Sequence, residues 1–209
     1  TRNVITHNEV GVFYNELDNS DFGSVIANDN GALSVGAYGW HGNNALSLLR
    51  KAYSISNAEI NRVALSYSNT GRKVIAAITN GSDWSSYVPD SYTCSCIKAM
   101  LLTNAGIEAQ NQTSTENAEE YIAICQENNI NDKRAIVYCA DILNQFGTGS
   151  FDKNVYGNGH NGVLYGVSNA TLDSVYSSKR AWSDSNYSYE TRRKWTYDYL
   201  KGLSDTDFS

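Results

Sequence analysis

Between Ala135 and Leu143 the chain reads AIVYCADIL, a run in which Asp141 is the only charged side chain. Asp132, three positions before the run, is a good helix cap, so the stretch extends into a helix with hardly any polar face. A helix apolar on nearly every side is stable only at the centre of a core, and the remaining elements must be able to surround it. Asp141 is carried into that core and needs a partner. Arg192 and Arg193, on a final helix expected over 189–201, are the candidates, the alternative being that the carboxylate reaches a cleft. The structural pairing is the expectation.

Elements to surround such a helix are present. Helical spacing recurs over 45–52, where Asn43 or Asn44 supplies the cap, over 58–67, more weakly over 72–78, over 96–105, over 118–127 with Asn117 as cap, and over 171–181. A short helix near 4–10 stops at Gly11. One region breaks the pattern: NDNG (28–31) is a turn signal, and LSVGAYGW (33–40) has strand-type residues, which predicts a hairpin near 24–40. The expected fold class is therefore mainly α within an α+β arrangement, a helical domain with one small β-hairpin. With 209 residues, 41% hydrophobic composition and a single proline, one domain over 1–209 is expected. The glycine-rich stretch 147–166 has no regular period and reads as a loop covering a cleft.

A net charge of −6 without an extended basic run excludes a nucleic-acid groove and gives no attraction to an anionic membrane surface. No apolar run approaches a membrane span, and Thr1 opens no signal peptide, which fits a processed or excised piece of a longer secreted protein. Fifteen Tyr and four Trp among many Asn and Ser suit carbohydrate handling, because aromatic faces stack on sugar CH groups while short polar groups bind hydroxyls. Cys94 and Cys96 are too close to bridge each other easily. The four cysteines either tie the segment near 95 to the helices carrying Cys125 and Cys139 or remain buried thiols. Metal binding is disfavoured: C-x-C has no matching partner, and His7, His41 and His160 are scattered. Neither a metal nor an organic cofactor is expected.

Two carboxylates stand out. Glu9 sits at the end of the first helix and Asp29 at the mouth of the hairpin. Two such groups across one cleft are what glycosidic cleavage needs, one protonating the leaving oxygen and the other activating water or stabilising the transition state. By spacing alone, a solvated helix-end charge at Glu9 and a turn former at Asp29 account for them better than catalysis does.

The segment NEVGVFYNELDNSDFGSVIANDNGALSVGAYGWHGNNALSLL (8–49) resembles the lysozyme-like, chitosanase-related glycoside hydrolase domains of endolysins and autolysins from Gram-positive bacteria and their phages. There a helix-end Glu precedes a D/N-G turn, an S-[IV]-G strand and an aromatic W-H-G before a Leu-rich helix. INDKRAIVYCADILNQFG (130–147) is similar to the helix of that family ending in A-D-hydrophobic-x-N-Q-x-G, and YETRRKWTYDYL (189–200) to its closing helix. Gly39 departs from the Gln that relatives commonly carry before Trp-His, which bears on substrate subclass. The resemblance implies a lysozyme-like fold and a muramidase-like peptidoglycan hydrolase, with Glu9 as general acid and Asp29 as base or stabiliser. It also implies a monomer that is secreted, wall-associated or phage-delivered, with bacterial cell-wall glycan as its partner. Serving as the acid requires Glu9 to be partly buried against groups such as Val10, Val12 or Tyr38. Tyr38, Trp40 and His41 are expected on one wall of the cleft beside Ser34 of the S-V-G strand, with Asn144 and Gln145 on the other wall and Trp84 on a lip; the competing readings are Trp40 as a core anchor for the helix starting at Asn43 and Trp84 as a ring that pins its loop to the core. Chitosan hydrolysis on the same scaffold, or glycan binding without catalysis, are the competing expectations.

Overall fold

In a computed structural model of the chain, residues 1–148, 155–156, 160–162, 164, 167–179 and 189–208 are described. The fold is mainly helical with a small three-stranded antiparallel sheet. By contacts the chain divides into a continuous unit, Glu9–Thr115, and a split unit made of Thr1–Asn8 and Glu116–Ser209, the boundaries falling within two helices.

The continuous unit opens with the last residues of α1 (Arg2–Val10) and a short α2 (Asn19–Phe22), then β1 (Val25–Asp29), β2 (Ala32–Val35) and β3 (Trp40–His41). Asn30 at φ 50° and Gly31 at φ 97° form the turn between β1 and β2, the two positive angles that a tight hairpin of this twist requires and that Asn-Gly supplies cheaply. The Asn28 side chain accepts a hydrogen bond from Gly31 N at 2.9 Å and closes it. The sheet exceeds the expected hairpin by one strand, because Trp40 and His41 pair back onto Val35 and Ser34. The helices α3 (Asn43–Ile55), α4 (Asn57–Leu65), α5 (Ser68–Thr79) and α6 (Ser91–Leu101) then pack on one another, with β2 and β3 against α3 and β1 against α6. Leu33, Leu46, Leu48, Leu49, Ile60, Ile97, Met100 and Leu101 are sealed from solvent and form the core.

Two helix starts differ from expectation. The residue before α3 is Gly42, at φ 56°, and the Asn43 side chain leaves the helix end to donate to Asp83 at 2.9 Å and accept from Trp84 N at 2.7 Å. The helices expected over 96–105 and 118–127 are divided elsewhere: α6 ends at Leu101, and a single helix α7 runs Asn104–Glu127, straight through Asn117. No proline interrupts 104–127, and the start of α7 is held by an acceptor that sequence does not reveal, since Glu59 of α4 accepts from Asn104 N at 3.1 Å and Ala105 N at 3.0 Å.

Gly71 marks the closest approach in this unit. A Cβ there would lie 1.7 Å from Ala64 O, so α4 and α5 pass at a distance only glycine allows. Gly71→Ala should force the helices apart and lower stability by about 1–3 kcal/mol or more, read as a fall in melting temperature by circular dichroism.

In the split unit α8 (Lys133–Phe146) is the central helix, with Asp132 accepting from Arg134 N and Ala135 N at its start as expected. Its residues from Ala135 to Leu143 are all buried. After a short antiparallel ladder of β4 (Val155–Tyr156) and β5 (His160–Asn161), α9 (Leu172–Lys179) and α10 (Glu190–Gly202) pack on α8 and on each other. The rest of the stretch 147–166 expected to cover a cleft lies largely outside the described residues. The chain start joins this unit through Asn8, which donates to Thr196 Oγ1 at 2.9 Å, and through His7, stacked on Trp195 at 3.7 Å. All four cysteines are free, and burial pushes the Cys96 thiol up to about 11. No helix among the described residues is long and apolar enough to cross a membrane.

Candidate functional site

Glu9 is the penultimate residue of α1, half-buried, and the chain leaves the helix at Gly11 with φ 84°. Main chain of the β2–β3 loop lies beside its carboxyl. A Cβ on Gly39 would lie 3.5 Å from Glu9 Oε2, and Gly39 itself is exposed at φ 63°. A glycine in this left-handed conformation therefore brings main chain up to the carboxyl with no side chain between them.

Asp29 ends β1 where the register shifts between Ile26 and Asp29. Such an irregularity re-aims a side chain, and here it turns the carboxylate toward Ser34 on the neighbouring strand. Ser34 Oγ donates to Asp29 Oδ2 at 2.7 Å, and Asn30 Nδ2 donates to Oδ1 at 3.1 Å. His41, paired with Ser34 across β2 and β3, reaches the Asp29 carbonyl with Nε2 at 2.8 Å. A carbonyl only accepts, so the imidazole carries a proton on that nitrogen. Asp29, Ser34 and His41 thus form one hydrogen-bonded group that spans the three strands of the sheet. The Asp29 carboxylate, with both oxygens accepting and part of its surface open to water, is arranged as an acceptor.

The aromatic residues are placed differently from expectation. Tyr38, Trp40 and Trp84 are 4%, 6% and 3% exposed, too little for any of these rings to offer a sugar a stacking face. Tyr38 and Trp40 stack on each other at 5.4 Å, and Trp84 stacks on Tyr87 at 4.7 Å. The Trp84 loop is tied down by Asn43 and by Leu33 N donating to Tyr87 O at 2.9 Å, so it is an anchored segment and no exposed lip. Aromatic loop residues are equally the means of pinning a loop to a core, and that use accounts for them here. Trp40→Ala should accordingly melt well below the parent, by about 3–5 kcal/mol in stability. Differential scanning fluorimetry checks it; an unchanged melting temperature would contradict a core role for Trp40.

Asn144 and Gln145 sit near the end of α8, both partly exposed. The Gln145 amide oxygen, expected to face a sugar, accepts from Arg193 Nη2 and so belongs to the network around Asp141. There Arg192 makes two bonds to the carboxylate, Nη2 to Oδ1 at 2.7 Å and Nε to Oδ2 at 3.2 Å, while Arg193 Nη1 reaches Oδ2 at 2.7 Å. Asp141 and Arg193 are both 0% exposed, which confirms the expected pairing and recruits both arginines. Burial alone would push the Asp141 carboxyl up; the charges of Arg192 and Arg193, with hydrogen bonds from Arg192 and Asn8, outweigh it and hold the group below the usual carboxylate range.

Gln110 of α7 has no counterpart in the sequence reading. It is 1% exposed; its amide oxygen accepts from Ala37 N at 3.2 Å, and its nitrogen donates to Phe22 O at 3.1 Å and to Leu101 O at 3.4 Å. The signal that could have found it is an amide on the buried stripe of a helix beside Ala105, Gly106 and Ala109, legible only once 104–127 is read as one helix. Among the described residues no group of His, Cys, Asp and Glu is arranged to hold a metal ion. Comparison with protein-family models, with curated proteins and with solved structures finds no match for this chain.

Proposed function

We propose that the chain is a glycoside hydrolase acting on the β-1,4-linked amino-sugar strands of bacterial peptidoglycan outside the cell, with Glu9 as general acid and Asp29 as base or charge stabiliser. The observation that carries the reading is the contrast between the two carboxyl groups of the continuous unit. Glu9 is half-buried and faces exposed glycine backbone, whereas Asp29 is clamped as an acceptor by Ser34 and Asn30. Glycosidic cleavage uses two carboxyl groups in different roles, one facing the leaving oxygen and the other a water or the developing charge. In this reading the leaving glycosidic oxygen takes its proton from Glu9. A water near Asp29 loses one to the carboxylate, whose orientation the Ser34 hydroxyl and the Asn30 amide fix. The open main chain at Gly39 leaves room for a substituted sugar beside the acid. Inversion requires the carboxyl groups to stand about 6.5–9.5 Å apart in the substrate complex and retention about 5 Å.

The net charge of −6 favours a second substrate, the polycationic glucosamine chain of chitosan. Purified peptidoglycan and chitosan, digested separately and analysed by mass spectrometry, decide between them. New reducing-end N-acetylmuramic acid from peptidoglycan is the expected product. Reducing-end N-acetylglucosamine or 1,6-anhydro ends would reassign the bond or the mechanism, and release from chitosan alone would move the substrate. No product from either glycan would leave a binding module without catalysis.

A further inference from the structure

We infer that Gln110 is a positioning residue for the general acid, acting through the glycine loop 36–39 that faces Glu9, and the inference rests on the assignment of Glu9 just proposed. Gly36 N donates to Ser24 O at 2.8 Å and Gly39 N to Gly36 O at 3.2 Å, and the amide of Ala37 is taken up by Gln110. Gln110 is fixed in turn, because its side-chain nitrogen donates to the carbonyls of Phe22 and Leu101, which end α2 and α6. One buried amide thus ties the loop to two helix ends, and with every polar atom satisfied it has no second low-energy orientation.

The contact is tight as well as polar. A Cβ on Gly36 would lie 2.5 Å from Gln110 Oε1 and 2.9 Å from the Trp40 ring, so the loop is clamped between amide and indole at a position where only glycine fits. Two residues beyond Ala37, the same loop presents Gly39 to the Glu9 carboxyl. The next residue of α7 makes a second tie: Asn111 Oδ1 accepts from Tyr14 Oη at 2.8 Å, in the segment that follows α1. Consecutive amides on one helix therefore tie down both the segment that follows the acid and the loop the acid faces. A carboxyl that must meet a leaving oxygen in one geometry gains from such a frame, since displacement of about 1 Å lowers rates on the order of 100-fold.

The test separates misplacement of the acid from loss of folded protein. A glycoside whose leaving group departs without protonation does not need the acid, so a displaced acid harms natural and activated substrates unequally, whereas a smaller folded fraction harms both alike. Gln110→Met, Glu9→Gln and the parent are assayed on a cell-wall tetrasaccharide of alternating N-acetylglucosamine and N-acetylmuramic acid and on its 2,4-dinitrophenyl glycoside. For Gln110→Met the expected result is a kcat roughly 30–100-fold lower on the tetrasaccharide, a change of no more than about 3-fold on the dinitrophenyl glycoside, and nearly constant KM on both. Equal losses on the two substrates, or none, overturn the inference. If Gln110→Met does not fold, Tyr14→Phe removes one oxygen from the same frame and is held to the same inequality, with a loss of about 3–10-fold on the tetrasaccharide alone. Glu9→Gln tells the two levels apart. If it fails to discriminate between the substrates, the general-acid assignment falls and this inference with it; if it discriminates and neither frame variant does, only the role of Gln110 falls.

Discussion

Glu9→Gln is expected to leave the melting temperature within a degree or two of the parent and to remove turnover of cell-wall glycan. The amide preserves the shape of the carboxyl at the end of α1 but has no proton to give a leaving oxygen, and general acid catalysis typically contributes about 10²–10⁴-fold. The loss should appear in kcat with KM nearly unchanged, because the group acts in the transition state and contributes little to holding the ground-state sugar. Activity within a few-fold of the parent would remove Glu9 from the mechanism. Asp29→Asn then distinguishes two chemistries. An enzyme that needs a base to activate water loses most of its rate, while one that closes the sugar's own hydroxyl onto the anomeric carbon keeps much of it and leaves anhydro ends.

The largest effect on stability is expected at Asp141. Asp141→Asn keeps the volume but leaves Arg193 wholly buried and Arg192 largely so, with no opposing charge at the positions where both guanidinium groups now bond. Removing one member of a buried ion pair costs about 3–5 kcal/mol, which for a chain of this size lowers the melting temperature by roughly 6–20 °C. The pH dependence has a definite sign. The folded-state carboxyl is held below its ordinary value, so the network's contribution is complete above the unfolded carboxylate range and is lost as pH falls through the lower, folded value. The parent should therefore lose stability in acid more steeply than Asp141→Asn, which has no proton to take up there. Parallel acid slopes in urea titrations of the two proteins would contradict the linkage. Replacing both fully buried partners together, Asp141→Leu with Arg193→Met, should recover much of the loss, since what is expensive is the stranded charge and not the absence of a bond.

What could be read from the sequence follows from how local the cause was. The Asn30-Gly31 turn, the Asp132 cap and the all-apolar face of α8 are dictated by neighbouring residues, and the pairing of Asp141 follows from carrying a carboxylate into such a helix. Long-range causes were not legible. The third strand exists because Trp40 and His41 find Val35 and Ser34, and α7 is continuous partly because Glu59, on another helix, satisfies its first donors. Among the candidate site residues, the Asp29 group depends on a shift of strand register that no residue type announces. The aromatic residues misled for a general reason: composition shows that a ring is available, and only packing decides whether its faces stay open or are covered.

The division of the chain has a consequence for the order in which it can fold. The continuous unit is complete once Thr115 has been made, and most of its contacts join elements close in sequence. The split unit must wait: its first residues, already synthesised, meet their partners only when the last helix arrives, as with Asn8 and Thr196, which stand 188 positions apart. A contact of that span costs loop-closure entropy before it returns anything, so it belongs late in folding. During translation the faces of α8 and α9 that α10 covers remain exposed until α10 has left the ribosome, and apolar surface exposed for that interval favours aggregation. Truncations that end between α8 and Thr196 should for this reason fail to form the split unit and accumulate as aggregates.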